Sequence, residues 1–213
     1  MNSDVSTLAE WIADSPSTVF FGGAGVSTES GIPDFRGANG FYFQEREIPL
    51  ETVLSIDFFT RHPDAYWEWF HEIYRPVEPN GAHRALAALE GARLLDAVIT
   101  QNIDGLHQRA GSCSVWELHG NWERLVCTAC GSVAALRDAV TVDGDPVPAC
   151  PSCVGQMRPD IVMYGESLDE GVIEAAVSAI ARASTLIVAG TSLVVYPAAG
   201  LINYFSGDHL VLM

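Results

Sequence analysis

Short apolar runs alternate with amphipathic stretches along most of this chain. The apolar runs predict strands at residues 18–21, 95–100, 115–118, 160–164, 185–189 and 209–213. Between them, apolar residues at helical spacing predict helices over residues 5–13, 82–90 and 169–183. Because strands that alternate with helices build parallel sheets, we predict the α/β class, with a Rossmann-like, doubly wound parallel sheet.

Two segments interrupt this alternation. Residues 38–78 are aromatic and helix-like, and residues 122–158 carry four of the five cysteines. We expect both to be insertions, a helical module and a zinc-ribbon module, that together form a smaller lobe. The larger, Rossmann-like domain is then assembled from residues 1–37, 79–121 and 159–213.

The cysteine spacing indicates a metal site. Cys127-x2-Cys130 and Cys150-x2-Cys153 are separated by 19 residues, which is typical of two knuckles that bind one tetrahedral Zn²⁺. The alternative is a pair of disulfides, which a reducing cytoplasm disfavours. Because four cysteine ligands leave no position open for water, the zinc is predicted to be structural. Cys113 stands apart and is expected to be a plain thiol.

Composition and charge restrict the partners. The chain has 213 residues, a formal net charge of −16 and no apolar run long enough to span a bilayer, so we expect no membrane association. Residues 1–4 do not begin a basic and then apolar leader, so we expect a cytoplasmic protein. The acidic balance argues against direct nucleic-acid binding, which needs clustered Lys and Arg. It favours a cationic partner such as a lysine-rich peptide, although scattered acidic residues also simply keep a surface hydrated.

A glycine-containing loop follows the first predicted strand and reads Gly23-Ala24-Gly25-Val26-Ser27-Thr28. Backbone N–H groups at such a strand-to-helix turn suit a pyrophosphate, but Thr28 stands where the dinucleotide fingerprint has its third glycine. An ordinary tight turn is therefore the alternative. Residues 32–37 then place a proline, an acid, an aromatic ring and a guanidinium in one loop, which indicates a bound ligand. Residues 101–104 and 190–192 follow two other strands, so three loops converge on one crevice.

Six motifs, in this order along the chain, resemble those of the sirtuins. They are the loop at residues 23–37, Thr100-Gln101-Asn102-Ile103-Asp104-Gly105-Leu106-His107-Gln108-Arg109-Ala110-Gly111, Glu117-Leu118-His119-Gly120, the four cysteines, Pro159-Asp160-Ile161-Val162-Met163-Tyr164-Gly165-Glu166 and Gly190-Thr191-Ser192. The resemblance covers nearly the whole chain. It implies an NAD-dependent protein-lysine deacetylase that transfers the acetyl group to ADP-ribose, releases nicotinamide and binds NAD between the two lobes.

The resemblance also implies catalytic roles. His119 corresponds to the base that takes a proton from a ribose hydroxyl, and an imidazole suits this role because its pKa lies near neutral pH. Asn102, the second catalytic residue, and Asp104 hold the nicotinamide ribose and carboxamide, with Gln101 on the ribose hydroxyls. Helix capping is the alternative for Asn102 and Asp104. The other histidines are expected to be surface or structural residues, namely His62, His71, His83, His107 and His209.

The implied NAD site draws on all three loops. Phe35 covers the reactive sugar carbon, and Arg36 pairs with the phosphates through its guanidinium. The remaining implied NAD contacts are Gly23, Ala24, Gly25, Thr28, Ile103, Gly190, Thr191 and Ser192. The sirtuin pattern continues past the last predicted strand with an asparagine-bearing loop on the adenosine ribose, which this sequence does not contain. We expect that the chain is truncated at Met213, because it ends within an apolar strand; the alternatives are that a partner completes the adenine pocket or that NAD affinity is weaker.

The implied substrate is an acetyl-lysine protein or peptide. Val162, Gly165, Glu166 and Ser167 match the cleft in which the peptide adds as a strand. Sirtuins that prefer succinyl or malonyl lysine have a Tyr-x-x-Arg pair, whereas this chain has Tyr66-x-x-Trp69. We expect no arginine to face Tyr66, which favours acetyl or a longer neutral acyl group because a buried carboxylate needs a counter-charge. The alternative is that Tyr66 and Trp69 are merely core residues.

Two rival functions share most of these features. A mono-ADP-ribosyltransferase would use the same NAD site with another nucleophile. A non-catalytic module would use the zinc ribbon to bind DNA or protein, but the acidic charge disfavours DNA and His119 disfavours an inactive enzyme.

Overall fold

The computed structural model describes residues 3–37, 40–41, 47–141 and 145–213. The predicted start of the helical module at residue 38 lies outside these ranges, as do residues 142–144 of the predicted zinc module. Within the described ranges, no helix is both long enough and apolar enough to cross a membrane.

The described residues form eight strands in two sheets. In chain order the strands are β1 (Thr18–Gly22), β2 (Ala97–Thr100), β3 (Val115–Glu117), β4 (Gly120–Cys127), β5 (Val133–Ala135), β6 (Met157–Ile161), β7 (Thr185–Ala189) and β8 (His209–Leu212). Five of them form a sheet of spatial order β3-β2-β1-β7-β8, in which all neighbours are parallel. The other three form a small antiparallel sheet of order β5-β4-β6.

The helices divide between the two sheets. They are α1 (Ser3–Asp14), α2 (Leu50–Val53), α3 (Ile56–Arg61), α4 (Pro63–Ile73), α5 (Gly81–Gly91), α6 (Leu106–Ala110) and α7 (Glu170–Arg182), with 3₁₀ segments at Ala24–Ser30, Leu136–Asp138 and Ala198–Tyr204. The predicted helices 5–13, 82–90 and 169–183 correspond to α1, α5 and α7. α7 begins where the Asp169 carboxylate accepts the Val172 N–H, as a capping residue does.

Helices cover both faces of the parallel sheet. Alternate residues of each central strand point to opposite faces, so Phe20 packs with Ile12 of α1 and Leu86 of α5. Phe21 packs on the other face with Ile180 of α7. Every residue of β1 and β2 is buried, as expected for strands covered on both sides. The doubly wound α/β fold predicted from the sequence is therefore confirmed.

The smaller lobe has one core shared by helices and sheet. Tyr66, Trp67 and Phe70 of α4 pack with Trp122 and Leu125 of β4. Rings in this core meet edge to face, with the Trp67 and Phe70 centroids 5.0 Å apart, a favourable aromatic arrangement. The helices α2 to α4 and the cysteine-bearing sheet therefore form one packed unit.

All three strands of the small sheet differ from the sequence prediction. The strand predicted at residues 160–164 lies at Met157–Ile161, and neither β4 nor β5 was predicted. β4 pairs with β6 from Gly120 to Cys127 across a register shift, and the polar residues near this shift weaken the apolar pattern that identifies strands. β4 and β6 also cross the boundaries predicted at residues 121 and 159, so continuous β-structure joins the two lobes. The division into domains stays a prediction.

Candidate functional site

The three predicted loops lie at the carboxyl edge of the parallel sheet. Gly22 of β1 is in register with Thr100 of β2 on one side and Ala189 of β7 on the other. The loops that begin at Gly23, Gln101 and Gly190 therefore leave the sheet side by side. The structure brings together residues that lie up to 167 positions apart in the sequence.

The glycines are explained by close contact between two of these loops. The Gly25 N–H donates to the Gly190 carbonyl at 2.8 Å. A Cβ on Gly23 would lie 2.8 Å from Cβ of Thr191, and a Cβ on Gly25 would lie 2.8 Å from Cα of Gly190. Gly190 itself has a φ of 62°, which L side chains rarely adopt. The glycines thus allow the crevice walls to touch, and their contact with phosphate stays a prediction.

Ser27 connects two of the predicted site residues. Its hydroxyl donates to Oδ2 of Asp104 at 2.6 Å and accepts from Nδ2 of Asn102 at 3.0 Å, and all three residues are buried. The loop was predicted to enter a helix, and the helix is of 3₁₀ type, Ala24–Ser30. Thr28, which was predicted to contact NAD, is exposed, and its hydroxyl donates to the Gly25 carbonyl. The Ser-Thr pair was visible in the sequence, but only the fold shows which hydroxyl points inward.

Asp104 also makes the local contact that the capping alternative required. Its Oδ1 accepts the Leu106 N–H at 3.0 Å at the start of α6. Asn102 is held at its own backbone, where its N–H donates to Oγ1 of Thr100 at 3.0 Å. Capping and the long-range contact with Ser27 therefore coexist, because the two oxygens of one carboxylate serve different partners.

His119 lies between β3 of the parallel sheet and β4 of the small sheet. Its Nδ1 lies 2.8 Å from the Gln101 carbonyl, which can only accept, so Nδ1 carries the hydrogen and Nε2 keeps a lone pair. Burial lowers the pKa of His119, and the hydrogen bond to Gln101 opposes this shift. A neutral ring with a fixed tautomer can accept a proton at Nε2. Gln101 also reaches the third loop, since its Nε2 lies 3.3 Å from Oγ1 of Thr191.

The loop after the 3₁₀ segment closes on itself. Oδ1 of Asp34 accepts the Gly37 N–H at 2.7 Å, and its carbonyl accepts the Phe41 N–H at 2.8 Å. Phe35 is half-buried, with its ring centroid 5.8 Å from that of Phe41, and Arg36 is exposed. These contacts shape the loop, and the roles of Phe35 and Arg36 toward NAD stay predictions.

The predicted peptide cleft joins the catalytic loop to the small lobe. The Val162 N–H donates to the His119 carbonyl at 2.9 Å. Tyr164 forms an isolated bridge with Ser55, between α2 and α3. The Ile56 N–H donates to the Tyr164 carbonyl at 3.0 Å. The segment that follows β6 is therefore tied to both walls of the cleft.

Glu166, which was predicted to bind substrate, is engaged within the protein. Its two oxygens accept from both terminal nitrogens of Arg158 at 2.6 and 2.7 Å, and Oε2 also accepts the Met163 N–H at 2.9 Å. Burial opposes ionisation, but the Arg158 hydrogen bonds and the Met163 N–H outweigh it and lower the pKa of Glu166. Arg158 also donates to the Ile161 carbonyl at 2.9 Å. The pair fastens both ends of the segment that carries Val162.

Tyr66 packs as a core residue. Its side chain is 0% exposed, and burial raises its pKa, against which Arg158 acts in the opposite direction. Arg158 of β6 is thus close enough to act on the Tyr66 phenol through its charge, and the expectation that no arginine faces Tyr66 stays a prediction. That guanidinium is already paired with Glu166, so among the described residues it is not a spare counter-charge for an acyl carboxylate.

The four cysteines form one cluster. Their sulfur atoms all lie within 4.8 Å of one another, with Cys127 to Cys153 at 3.5 Å and Cys130 to Cys150 at 3.7 Å. A tetrahedral zinc with Zn–S bonds of about 2.3 Å places its sulfurs about 3.8 Å apart, so the cluster fits Zn²⁺. Hydrogen bonds from Ser132 lower the pKa of the Cys130 thiol to about 6, which favours the thiolate that binds metal. Cys113 is exposed and separate, as expected.

Comparison with known proteins agrees with this geometry. The Sir2 family model matches residues 23–197. An "NAD-dependent protein deacetylase" from Cutibacterium acnes is 50% identical over 97% of this chain and 85% of its own length, and one from Clostridium acetobutylicum is 48% identical over 98% and 86%. A solved structure, "Sir2-p53 peptide-NAD+", has a TM-score of 0.85 and 43% identity, covering 98% of this chain and 85% of that one. The chain belongs to the Sir2 family.

Proposed function

We propose that this protein is an NAD-dependent protein-lysine deacetylase. The observation that carries the proposal is the position of His119, whose Nδ1 donates to the Gln101 carbonyl at 2.8 Å and whose O=C accepts the Val162 N–H at 2.9 Å. One residue thus connects the loops predicted to bind NAD with the segment predicted to bind peptide. The relatives named NAD-dependent protein deacetylase support the same reaction.

The residues present fit NAD at the carboxyl edge of the sheet. The supporting observation is that Ser27, Asn102 and Asp104 form a buried set with amide and carboxylate groups. This set lies beside two loops that approach each other closely because they contain glycine. When bound, NAD supplies the ADP-ribosyl acceptor of the acetyl group and nicotinamide as the leaving group. Asn102, Asp104 and Gln101 orient it, while the loop containing Phe35 and Arg36 covers it.

His119 acts as the general base. Because burial lowers its pKa, the ring is neutral near pH 7, and Nε2 accepts a proton from a ribose hydroxyl. The hydrogen bond to Gln101 keeps the ring orientation and stabilises the charge that Nε2 acquires, since a carbonyl dipole favours imidazolium at the donating nitrogen.

The substrate is an acetyl-lysine peptide that adds as a strand along Val162 to Ser167. Backbone pairing of this kind reads little sequence, so the cleft does not identify the protein substrate. A neutral acyl group is favoured because Arg158, the guanidinium near Tyr66, is held by Glu166. Leaving a carboxylate without a partner in this region would cost several kcal/mol, so succinyl-lysine should be a poor substrate.

The zinc is structural. All four ligands are cysteines, so no coordination position is open to substrate, and the metal holds the small sheet next to the peptide segment. We place the protein in the cytoplasm, because four thiols stay available to Zn²⁺ where disulfides are not formed. Cell fractionation tests the location.

Incubation with NAD and a set of acyl-lysine peptides, followed by mass spectrometry, tests the proposal. A deacetylase converts acetyl-lysine to lysine and yields free nicotinamide and O-acetyl-ADP-ribose. A mono-ADP-ribosyltransferase instead adds the mass of ADP-ribose to a protein or peptide and leaves the acetyl group in place. If protein that contains zinc releases no nicotinamide with any of the peptides, both enzymatic functions are contradicted.

A further inference from the structure

Two buried histidines lie next to the predicted nicotinamide residues. His83 of α5 and His107 of α6 are 0% and 1% exposed, and their ring centroids are 4.7 Å apart. Nε2 of His83 and both ring nitrogens of His107 have no hydrogen-bond partner among the described residues. Neither histidine has a part in the chemistry described above.

A hydrogen bond at His83 defines the protonation state of its ring. The backbone N–H of Asn80 donates to Nδ1 of His83 at 3.3 Å. Nδ1 must therefore be unprotonated, and the neutral ring carries its hydrogen on Nε2. An imidazolium ring has no acceptor atom, so protonation of His83 breaks this contact.

Asn80 carries the restraint into the site. Its Nδ2 donates to the Val26 carbonyl at 2.7 Å, and that carbonyl belongs to the peptide group that precedes Ser27. Ser27 in turn holds Asn102 and Asp104. Hydrogen bonds and the covalent links of Asn80 and of the Val26–Ser27 peptide thus connect the His83 ring to the two side chains predicted to hold the nicotinamide end of NAD.

We infer that His83 is a positioning residue for NAD, because its neutral ring holds Asn80 in the conformation that orients Ser27. The inference rests on the proposed function, since it concerns the same site. Burial lowers the pKa of His83, Asp104 in the loop before α6 raises it, and Arg84 on the same helix lowers it, while His107 faces the ring from α6. Phe20, the ring of β1 that contacts His107, is uncharged. Acid therefore weakens NAD binding through a group that does not touch the reacting atoms.

Two substitutions at His83 distinguish the hydrogen-bond acceptor that Nδ1 provides from the space that the ring fills. His83→Asn puts an amide oxygen in the place of Nδ1 and cannot be protonated, whereas His83→Leu fills similar space without an acceptor. His71→Leu, on the exposed side of α4, is the control for the loss of a histidine. KM for NAD, KM for the acetyl-lysine peptide and kcat are measured at pH 7.5, and ADP-ribose binding is measured by calorimetry.

The expected result is selective. His83→Leu raises KM for NAD and Kd for ADP-ribose about tenfold, as the loss of one buried hydrogen bond does, and leaves KM for the peptide unchanged. His83→Asn and His71→Leu keep wild-type values. The inference would be overturned if His83→Leu kept the wild-type KM for NAD, or if KM for NAD and KM for the peptide rose equally in this variant.

A pH series provides the second measurement and does not depend on the folding of His83→Leu. Burial lowers the pKa of His83 from its ordinary value of 6.5, so the response to acid lies below that value. Between pH 6.5 and 4.5, KM for NAD and Kd for ADP-ribose rise more in the wild type than in His83→Asn, because the amide does not titrate whereas His119 is present in both proteins. Parallel curves would overturn the inference while the deacetylase function stands. If the wild type deacetylates no peptide but its ADP-ribose affinity responds as described, the proposed function fails and the positioning role stands.

Discussion

Replacement of His107 by leucine should make the stability of this protein less sensitive to acid. Burial, and to a smaller extent the neighbouring His83, lower the pKa of His107 from 6.5 to about 3. Between these two values the unfolded chain binds a proton that the folded chain excludes. The free energy of unfolding contributed by this residue is therefore complete above about pH 6.5 and is lost progressively as the pH falls toward 3.

The size of the effect follows from the same two values. A pH of 5 is about 1.5 units below the pKa of histidine in the unfolded chain, and each unit corresponds to about 1.36 kcal/mol. The free energy of unfolding is therefore about 2 kcal/mol lower at pH 5 than at pH 8. Leucine is neutral in both states and has a similar volume. Neither ring nitrogen of His107 has a partner among the described residues, so the substitution removes no hydrogen bond found there and its cost at pH 8 should be small.

Urea unfolding followed by circular dichroism at pH 8 and pH 5 measures this difference. The wild type should lose about 2 kcal/mol more than His107→Leu between the two pH values. All proteins are kept in the same zinc-containing buffer, so that the pH dependence of metal binding cancels in the comparison. His71→Leu, which removes an exposed ring, should follow the wild type. Equal losses in wild type and His107→Leu would refute the reasoning that the buried ring stays neutral.

Four other substitutions, and a fifth that serves as a control, test the site. His119→Ala should abolish deacetylation while leaving zinc content and melting temperature unchanged, and a variant with most of the wild-type kcat would remove His119 from the mechanism. Cys127→Ser should lose Zn²⁺, measured by elemental analysis, and should unfold the small lobe; unchanged melting and activity would contradict a structural metal. Gly190→Ala should lower the free energy of unfolding, measured by urea unfolding, by more than about 2 kcal/mol, because strain at positive φ adds to a clash with the Val26 backbone. Gly31→Ala is the control: it also has a positive φ but open space around it, so it should cost only the strain. Wild-type kcat/KM should be far higher for acetyl-lysine than for succinyl-lysine, and Trp69→Arg should narrow that ratio; a wild-type preference for succinyl-lysine would show that the acyl pocket is misassigned.

The sequence by itself determined the architecture that supports the site. Buried parallel strands are continuous apolar runs, so β1 and β7 were visible from local pattern. Cysteine ligands of zinc come in closely spaced pairs, so the spacing of the four cysteines between Cys127 and Cys153 predicted the cluster that the structure shows. Loops that follow parallel strands meet at one edge of the sheet. The sequence alone therefore assigned three distant motifs to one crevice.

The tertiary structure alone decided which side chains meet. Ser27 and Asp104 are 77 residues apart, and nothing local distinguishes Ser27 from Thr28 until the 3₁₀ turn directs one hydroxyl inward and the other to solvent. The same holds for Arg158, which the fold places beside Tyr66 and pairs with Glu166. Local periodicity reports backbone conformation, whereas hydrogen bonds and ion pairs depend on the separation of atoms to within an ångström. The strands of the parallel sheet and the cysteine cluster were therefore predictable from the sequence, whereas the strands of the small sheet and the partners of the buried polar groups required the packed fold.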